Sequence, residues 1–375
     1  MARAPVLQEI EATPEADRLD DVPHPRMTPN LFGHTAAEQE LVAAFASGRM
    51  HHGLLLAGPE GVGKATLAYR FARHMLADPG ERDPFGQSLE VAAETTAARQ
   101  VKALSHPGLL VIRRAWDPKA KRFTASIPVD EVRRIKSFLG HTSAAGANRV
   151  VIVDTADELN LNAANALLKS LEEPPARTCF LLLAAAPGRL LPTIRSRCRV
   201  LDLRSLGEAD LRRAAQAALM TSEHEAPGAA EWARLVQLSH GSVRRLLVLW
   251  MRDGLKLQER LDTLFATLPR IDWGLVHTLG DELGSVASAD RFETFYDLLL
   301  QHIAGLVRAG AGVALDTPSA VAPQAARLGL PAKLATWAEL WETLVREKAE
   351  AMALNLDRKS LIVDAFSRIE TAARG

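Results

Sequence analysis

The stretch GLLLAGPEGVGKATLAYR, residues 53–70, constrains the fold more than any other part of the chain. Its first six residues are an apolar run bounded by glycines, which fits a buried strand. A glycine-rich turn follows. Leu67, Phe71 and Met75 then recur at i, i+4 and i+8, one core-facing helical stripe. This order places Gly58, Gly63 and Lys64 in the spacing G-x-x-x-x-G-K, with Gly61 and Thr66 in the same candidate cradle. Backbone N–H groups of such a turn hold phosphate, and the lysine reaches the outer phosphates. The residue after the lysine should bring a hydroxyl to Mg²⁺. Here it is Ala65.

The same alternation continues. LLVIRRAW reads as a strand, VDEVRRIKSFLG as a helix and RVVIVDTAD as a second strongly apolar strand. LNAANALLKSLEE reads as a helix with Leu161, Ala164, Leu168 and Leu171 on one face, ended by Pro174 and Pro175. CFLLLAAAP and CRVLDL supply two more strands. Strands alternating with helices predict an α/β fold, an open and mainly parallel sheet covered by helices, over residues 26–205. Residues 1–25 are acidic and proline-studded and read as a flexible tail, and 78–99 as a polar insertion. Beyond Leu206 the pattern is helical throughout, in a smaller unit at 206–268 and a second at 269–375. GVALDTPSAVAPQ, residues 312–324, reads as a loop between two of the later helices.

Composition narrows the chemistry. The 375 residues hold two cysteines, Cys179 and Cys198, and no CxxC pair, which excludes a four-cysteine zinc site. Both read as small buried thiols in a reducing cytoplasm. The longest apolar run, 179–187, is too short to span a bilayer, so no membrane contact is expected. Basic and acidic residues number 45 each, so any nucleic-acid contact must come from a local patch. Arg133 to Lys136, with Arg113, Arg114, Lys119, Lys121 and Arg122, form such clusters. Phosphate contact and an ordinary solvated face both remain open for them.

Asp154 ends the second apolar strand, where an acid can support Mg²⁺ or simply close a turn. The next position, which would carry a water-activating carboxylate, is Thr155, while Asp157 and Glu158 are expected to face solvent. Hydroxyl and carboxylate are missing together, and a double loss predicts lost hydrolysis. Arg197, in TIRSRC, lies just before the last strand. Spacing alone leaves it either a solvated, salt-bridged arginine or one that reaches a neighbouring subunit's phosphate. Arg244, in GSVRR, opens a helix and could fold back over a nucleotide.

GPEGVGKATLA, NALLKSLEEPP, TIRSRC and GSVRRLL, in this order and spacing, resemble the bacterial clamp-loader family of AAA+ proteins. SHPGLLVI, IPVDEVRRIKSFL and LNLDRKSLIVDAF narrow the resemblance to a member that is not the ATP motor. The likeness covers nearly everything from about residue 25 onward. It implies an AAA+ P-loop core, a helical lid and a helical collar through which subunits form a ring. It implies gamma/tau and delta subunits as partners, with primed DNA and the sliding clamp reached through the complex. It gives Arg197 the role of completing a neighbour's ATP site. Zinc, carried by many clamp-loader subunits in the insertion, is not expected here. Ala184, Ala185 and Ala186 stand where motor subunits place a polar γ-phosphate sensor. The remaining cradle leaves weak ATP or ADP binding open, with or without Mg²⁺. Two rival functions are an active gamma/tau-like motor and a DNA-binding AAA+ module outside replication.

Overall fold

The computed structural model describes residues 14–120, 122–140, 147–313, 321–354 and 356–375. Contacts divide the chain into two compact units, Met1–Ala226 with His240–Arg244, and Pro227–Ser239 with Arg245–Gly375.

The first unit is built on α1 (Thr35–Ala46), β1 (Gly53–Ala57), α2 (Lys64–Leu76), α3 (Thr96–Lys102) and β2 (Leu109–Ile112). A small hairpin follows, β3 (Trp116–Asp117) and β4 (Arg122–Phe123), then α4 (Val129–Gly140) and β5 (Arg149–Val153). The unit continues through α5 (Leu161–Glu172), β6 (Thr178–Ala184), α6 (Pro192–Arg195), β7 (Arg199–Asp202) and α7 (Glu208–Leu219). Five strands form one sheet in the order β2-β5-β6-β1-β7, and every pairing in it is parallel. The expected α/β core is present.

The apolar strands are continuous because both faces of the sheet are covered. Leu54 and Leu56 of β1 pack with Leu67, Phe71 and Met75 of α2. Leu55, pointing the other way, packs with Ile135 of α4 and Leu167 and Leu171 of α5. The α5 stripe differs from the expected one. Ala163, Ala164, Leu167 and Leu171 are buried, whereas Leu161 is exposed because it occupies the first turn, just after the Asn160 cap. The first edge strand is also shorter than expected, since β2 stops at Ile112.

Residues 14–25 are not a free tail. Leu19 and His24 are buried, and the acids of this strap meet cations far along the chain. Arg113 donates to Asp17 and Glu15 at 2.7 Å each, and Arg26 pairs with Glu15 at 2.8 Å. His24 Nε2 lies 2.9 Å from Asp17 Oδ2. Backbone oxygens of Thr28 and Pro29 accept from Arg73 and Arg70 of α2. Glu15 and Asp17, which read as solvated in sequence, are taken up by these pairs, while Asp20 and Asp21 are exposed. The rest of the expected tail, residues 1–13, lies outside the described residues.

The insertion after α2 is organised by side chains on backbone. Arg82 donates to the carbonyls of His74 at 2.9 Å and Ala77 at 2.7 Å, satisfying the end of α2, and stacks 4.8 Å from the Phe45 ring centre. The Asp83 carboxylate accepts from the N–H groups of Gln87 and Ser88 at 2.8 and 2.9 Å. Among the described residues no group of three His, Cys, Asp or Glu side chains could hold a metal. Arg82→Ala should lower stability by about 1–3 kcal/mol, because each charged bond to a carbonyl is worth that order. Urea unfolding would check it, and a change below about 0.5 kcal/mol would remove Arg82 from this role.

The second unit is helical: α8 (Ala229–Ser239), most of α9 (Val243–Met251), α10 (Gly254–Thr267), α11 (Trp273–Leu283), α12 (Ala289–Gly310), α13 (Val321–Arg327), α14 (Leu330–Leu354) and α15 (Arg358–Arg374). Phe265 of α10 packs 4.2 Å from His302 of α12 and 6.5 Å from Phe366 of α15, measured between ring centres. A boundary at 268/269 therefore cuts through one packed body rather than between two. The boundary at 205/206 also shifts, because α7 stays with the first unit. Of the loop expected at 312–324, residues 314–320 lie outside the described residues and 321–324 are helical. Among the described residues no helix is long and apolar enough to cross a membrane.

Candidate functional site

The cradle sits where β1 meets α2. Gly58 has φ 146°, and a side chain there would run into the carbonyl of Leu203. Gly63, at φ 113°, is the residue from which α2 starts. Both positions need a glycine's freedom. Gly61 is hemmed in by Ser242 and by Arg244, whose Cβ would lie 2.5 Å from an added Cβ. The N–H of Val243 donates to Gly61 O at 2.9 Å, and Arg244 Nε lies 3.1 Å from Glu60 Oε1. GSVRR is thus stitched onto the loop, with Arg244 paired to a loop carboxylate.

Lys64 is buried in the first turn of α2 and donates to Gly58 O at 2.7 Å and Pro59 O at 2.6 Å. Burial lowers its pKa, opposed by Asp154, Glu60 and Asp157. Thr66, one turn position on, is half-buried. Asp154, at the end of β5, is buried, and its carboxyl is pushed up to about 7. Burial is the main cause and the Asp17 carboxylate the next, with Lys64 pulling the other way.

The carboxylates after Asp154 have structural duties. Thr155 is in the left-handed region at φ 59°, costly for a β-branched residue. Its hydroxyl lies 2.9 Å from Glu158 Oε2, which also pairs with Arg114 at 2.9 Å. Asp157 accepts from the N–H groups of Ala185 and Ala186 at 3.3 and 2.8 Å, holding the turn after β6. The expected exposure of Asp157 and Glu158 is corrected: both are half-buried, because backbone and Arg114 claim them. Asp157 and Glu158 thus both have partners of their own.

Arg197 lies elsewhere. In register, Leu54 pairs with Arg199 and Ala57 with Asp202, so the cradle is at the C-terminal end of β1 and β7 and Arg197 precedes their N-terminal end. Around Gly53, the first residue of β1, an added Cβ would lie 3.1 Å from Arg197 O and 3.2 Å from Cys198 Sγ. The length of a five-residue strand, roughly 13–16 Å, separates the two. Arg197 is half-exposed, its Nη1 donating to Thr193 O at 3.0 Å and its Nη2 lying 3.0 Å from Glu172 Oε1.

Residues 33–207 match the family model described as DNA polymerase III, delta subunit. The DNA polymerase III subunit delta-prime of Yersinia pestis is 33% identical over 245 residues, 61% of this chain and 68% of that protein. The chain belongs to the DNA polymerase III delta-prime family. The delta-prime subunit of Escherichia coli is 29% identical over 333 residues, 88% of this chain and 92% of that protein. That of Pseudomonas aeruginosa is 39% identical over 148 residues, 39% of this chain and 41% of that protein.

In this delta-prime family chain the structure gathers Gly58, Gly61, Gly63, Lys64, Thr66, Asp154 and Arg244 around one loop and leaves Arg197 at the far end of the sheet. Sequence reasoning missed Glu60, His34 and Glu172. His34 Nε2 is 2.8 Å from Val62 O, tying the start of α1 to the loop. Beside it a cleft of about 500 Å³ is lined by Leu31, Phe32, Gly33, Asp210 and Arg213. Glu60 had a readable signal, an acid inside a loop that should receive anions.

Proposed function

We propose that this chain is a non-hydrolysing clamp-loader subunit that lends Arg197 to the ATP site of an adjacent gamma/tau subunit. The observation that carries the reading is the placement of Arg197, a strand's length from its own cradle and half-exposed. An arginine there cannot serve its own loop and is available to another molecule's. Gamma/tau and delta are the proposed partners in a cytoplasmic ring, with primed DNA and the sliding clamp met through the complex.

The cradle does not fit a catalytic Mg²⁺–ATP group. Ala65 offers no hydroxyl, Lys64 donates to carbonyls of its own loop, and Arg244 pairs with the loop's Glu60. Burial pushes the Asp154 carboxyl up, so a metal there would have to displace a more tightly held proton. What remains is weak nucleotide binding, with Lys64 and the start of α2 toward phosphate and the Phe32–Arg213 cleft toward the base. The motor reading lacks the hydroxyl at Ala65 and the carboxylate at Thr155. The reading outside replication has no support beyond the basic clusters, whose Arg113, Arg114, Arg133 and Arg134 are all ion-paired.

The isolated chain should show no ATP turnover above background, with or without DNA. Nucleotide binding followed by calorimetry should be weak or undetectable. Robust turnover that Lys64→Ala abolishes would establish a motor and sink this reading.

A further inference from the structure

The guanidinium of Arg197 is gripped from two sides. Thr193 O, on α6, accepts from Nη1, and Glu172, at the end of α5, sits 3.0 Å from Nη2. An exposed arginine normally samples many rotamers, so two anchors on two helices define its direction. The anchors are themselves fixed. Around Gly53 an added Cβ would meet Leu171 Cδ2 at 3.4 Å, Arg197 O at 3.1 Å and Cys198 Sγ at 3.2 Å. The Arg197 backbone and the side chain of Leu171, the residue before Glu172, thus meet the same point of β1.

Helix stability does not explain Glu172. It is the last residue of α5 and is followed by Glu173, a place where the helix dipole disfavours carboxylates. Packing does not explain it either. Leu171, the neighbour, fills the core at 1% exposure, while the Glu172 side chain is 44% exposed. What Glu172 does touch is Arg197.

We infer that Glu172 is a positioning residue for Arg197. Its carboxylate holds one edge of the fork and leaves the remaining N–H groups, out of five in a guanidinium, for an anion. The same charge offsets part of the arginine's long-range pull, so Glu172 sets orientation rather than ground-state attraction. This inference rests on the trans role proposed above for Arg197.

The test is a double-mutant cycle in the reconstituted loader with clamp and primed DNA, read by single-turnover and steady-state ATP hydrolysis. Glu172→Ala should slow the site facing this subunit on the order of 10-fold, with KM for ATP unchanged. Glu172→Gln, which keeps an acceptor oxygen, should recover most of that loss. In an Arg197→Ala background, Glu172→Ala should change nothing further. An equal loss in both backgrounds, or no loss where Arg197→Ala has one, overturns the positioning role. So does a Glu172→Ala ring that fails to assemble by size exclusion, because Glu172 would then be an interface residue. If Arg197→Ala itself is silent, the trans reading falls first and leaves Glu172 nothing to position.

Discussion

Arg197→Ala should leave the subunit folded and the ring assembled while the ATP site it faces slows by ~10³–10⁵. The stability cost should be small. The Arg197–Glu172 pair is exposed on both sides, and such pairs contribute about 0–1 kcal/mol. The catalytic cost should be large because a guanidinium neutralises charge on the γ-phosphoryl as it leaves, and of its sequence neighbours Arg199 is committed to Glu40 at 2.7 Å. Arg197→Lys should rescue poorly, since an ammonium lacks the planar fork and cannot hold Glu172, Thr193 and a phosphate together. The readouts are clamp- and DNA-stimulated ATP turnover, clamp loading, and size exclusion for assembly. Turnover and loading at the unmodified level in both variants would make Arg197 a structural surface residue.

Arg113→Ala should cost about 1–3 kcal/mol at pH 7, since Glu15 keeps Arg26 and Asp17 keeps His24 as partners. Arg113 is the cation on which the strap closes, and its loss leaves Asp17 and Glu15 largely buried without their shared partner. Burial by itself would raise the Asp17 carboxyl, but His24 and Arg113 outweigh it and hold the group at about 2. A carboxylate whose folded value is depressed stabilises the fold above its ordinary value, 3.8 here, and loses that contribution as pH falls toward about 2. The gap between the parent chain and Arg113→Ala should therefore be constant near neutrality and narrow below about pH 4. Glu15 shifts in the same direction. Arg113→Lys should recover part of the loss, keeping charge without the two-armed contact. Denaturant unfolding across pH, with limited proteolysis of residues 14–27, would check it. A variant within about 0.5 kcal/mol of the parent, with its strap equally protected, would show that the strap is not integral to the unit.

The Arg113 pairs also mark where sequence reasoning stopped. Arg113 read as the continuation of a strand, and the acids of the strap as solvated residues of a tail. Nothing local could correct either reading, because Arg113 and Asp17 are 96 positions apart. The α5 stripe failed for a different reason. Periodicity counted Leu161 by its type, while the Asn160 cap and the first turn left it in water. The boundary at 268/269 failed because α10 looks self-sufficient by composition, and only Phe265 against His302 and Phe366 shows where its apolar face goes.

By itself the sequence determined the alternation of strands and helices, the glycine cradle, the missing hydroxyl at Ala65 and the missing carboxylate at Thr155. These are local matters: apolar period, left-handed glycine positions and residue identity at fixed offsets from a motif. Tertiary structure decided which charges are partnered and at which end of the sheet each functional group lies. Asp157 and Glu158 became structural, Lys64 and Arg244 turned onto their own loop, and Arg197 came to rest opposite the cradle beside Glu172. Charge pairing acts through space between residues that chain distance does not relate, and the direction of a parallel sheet exists only once its strands are registered. The residues of the site were therefore legible one by one, and their division between two ends of the molecule was not.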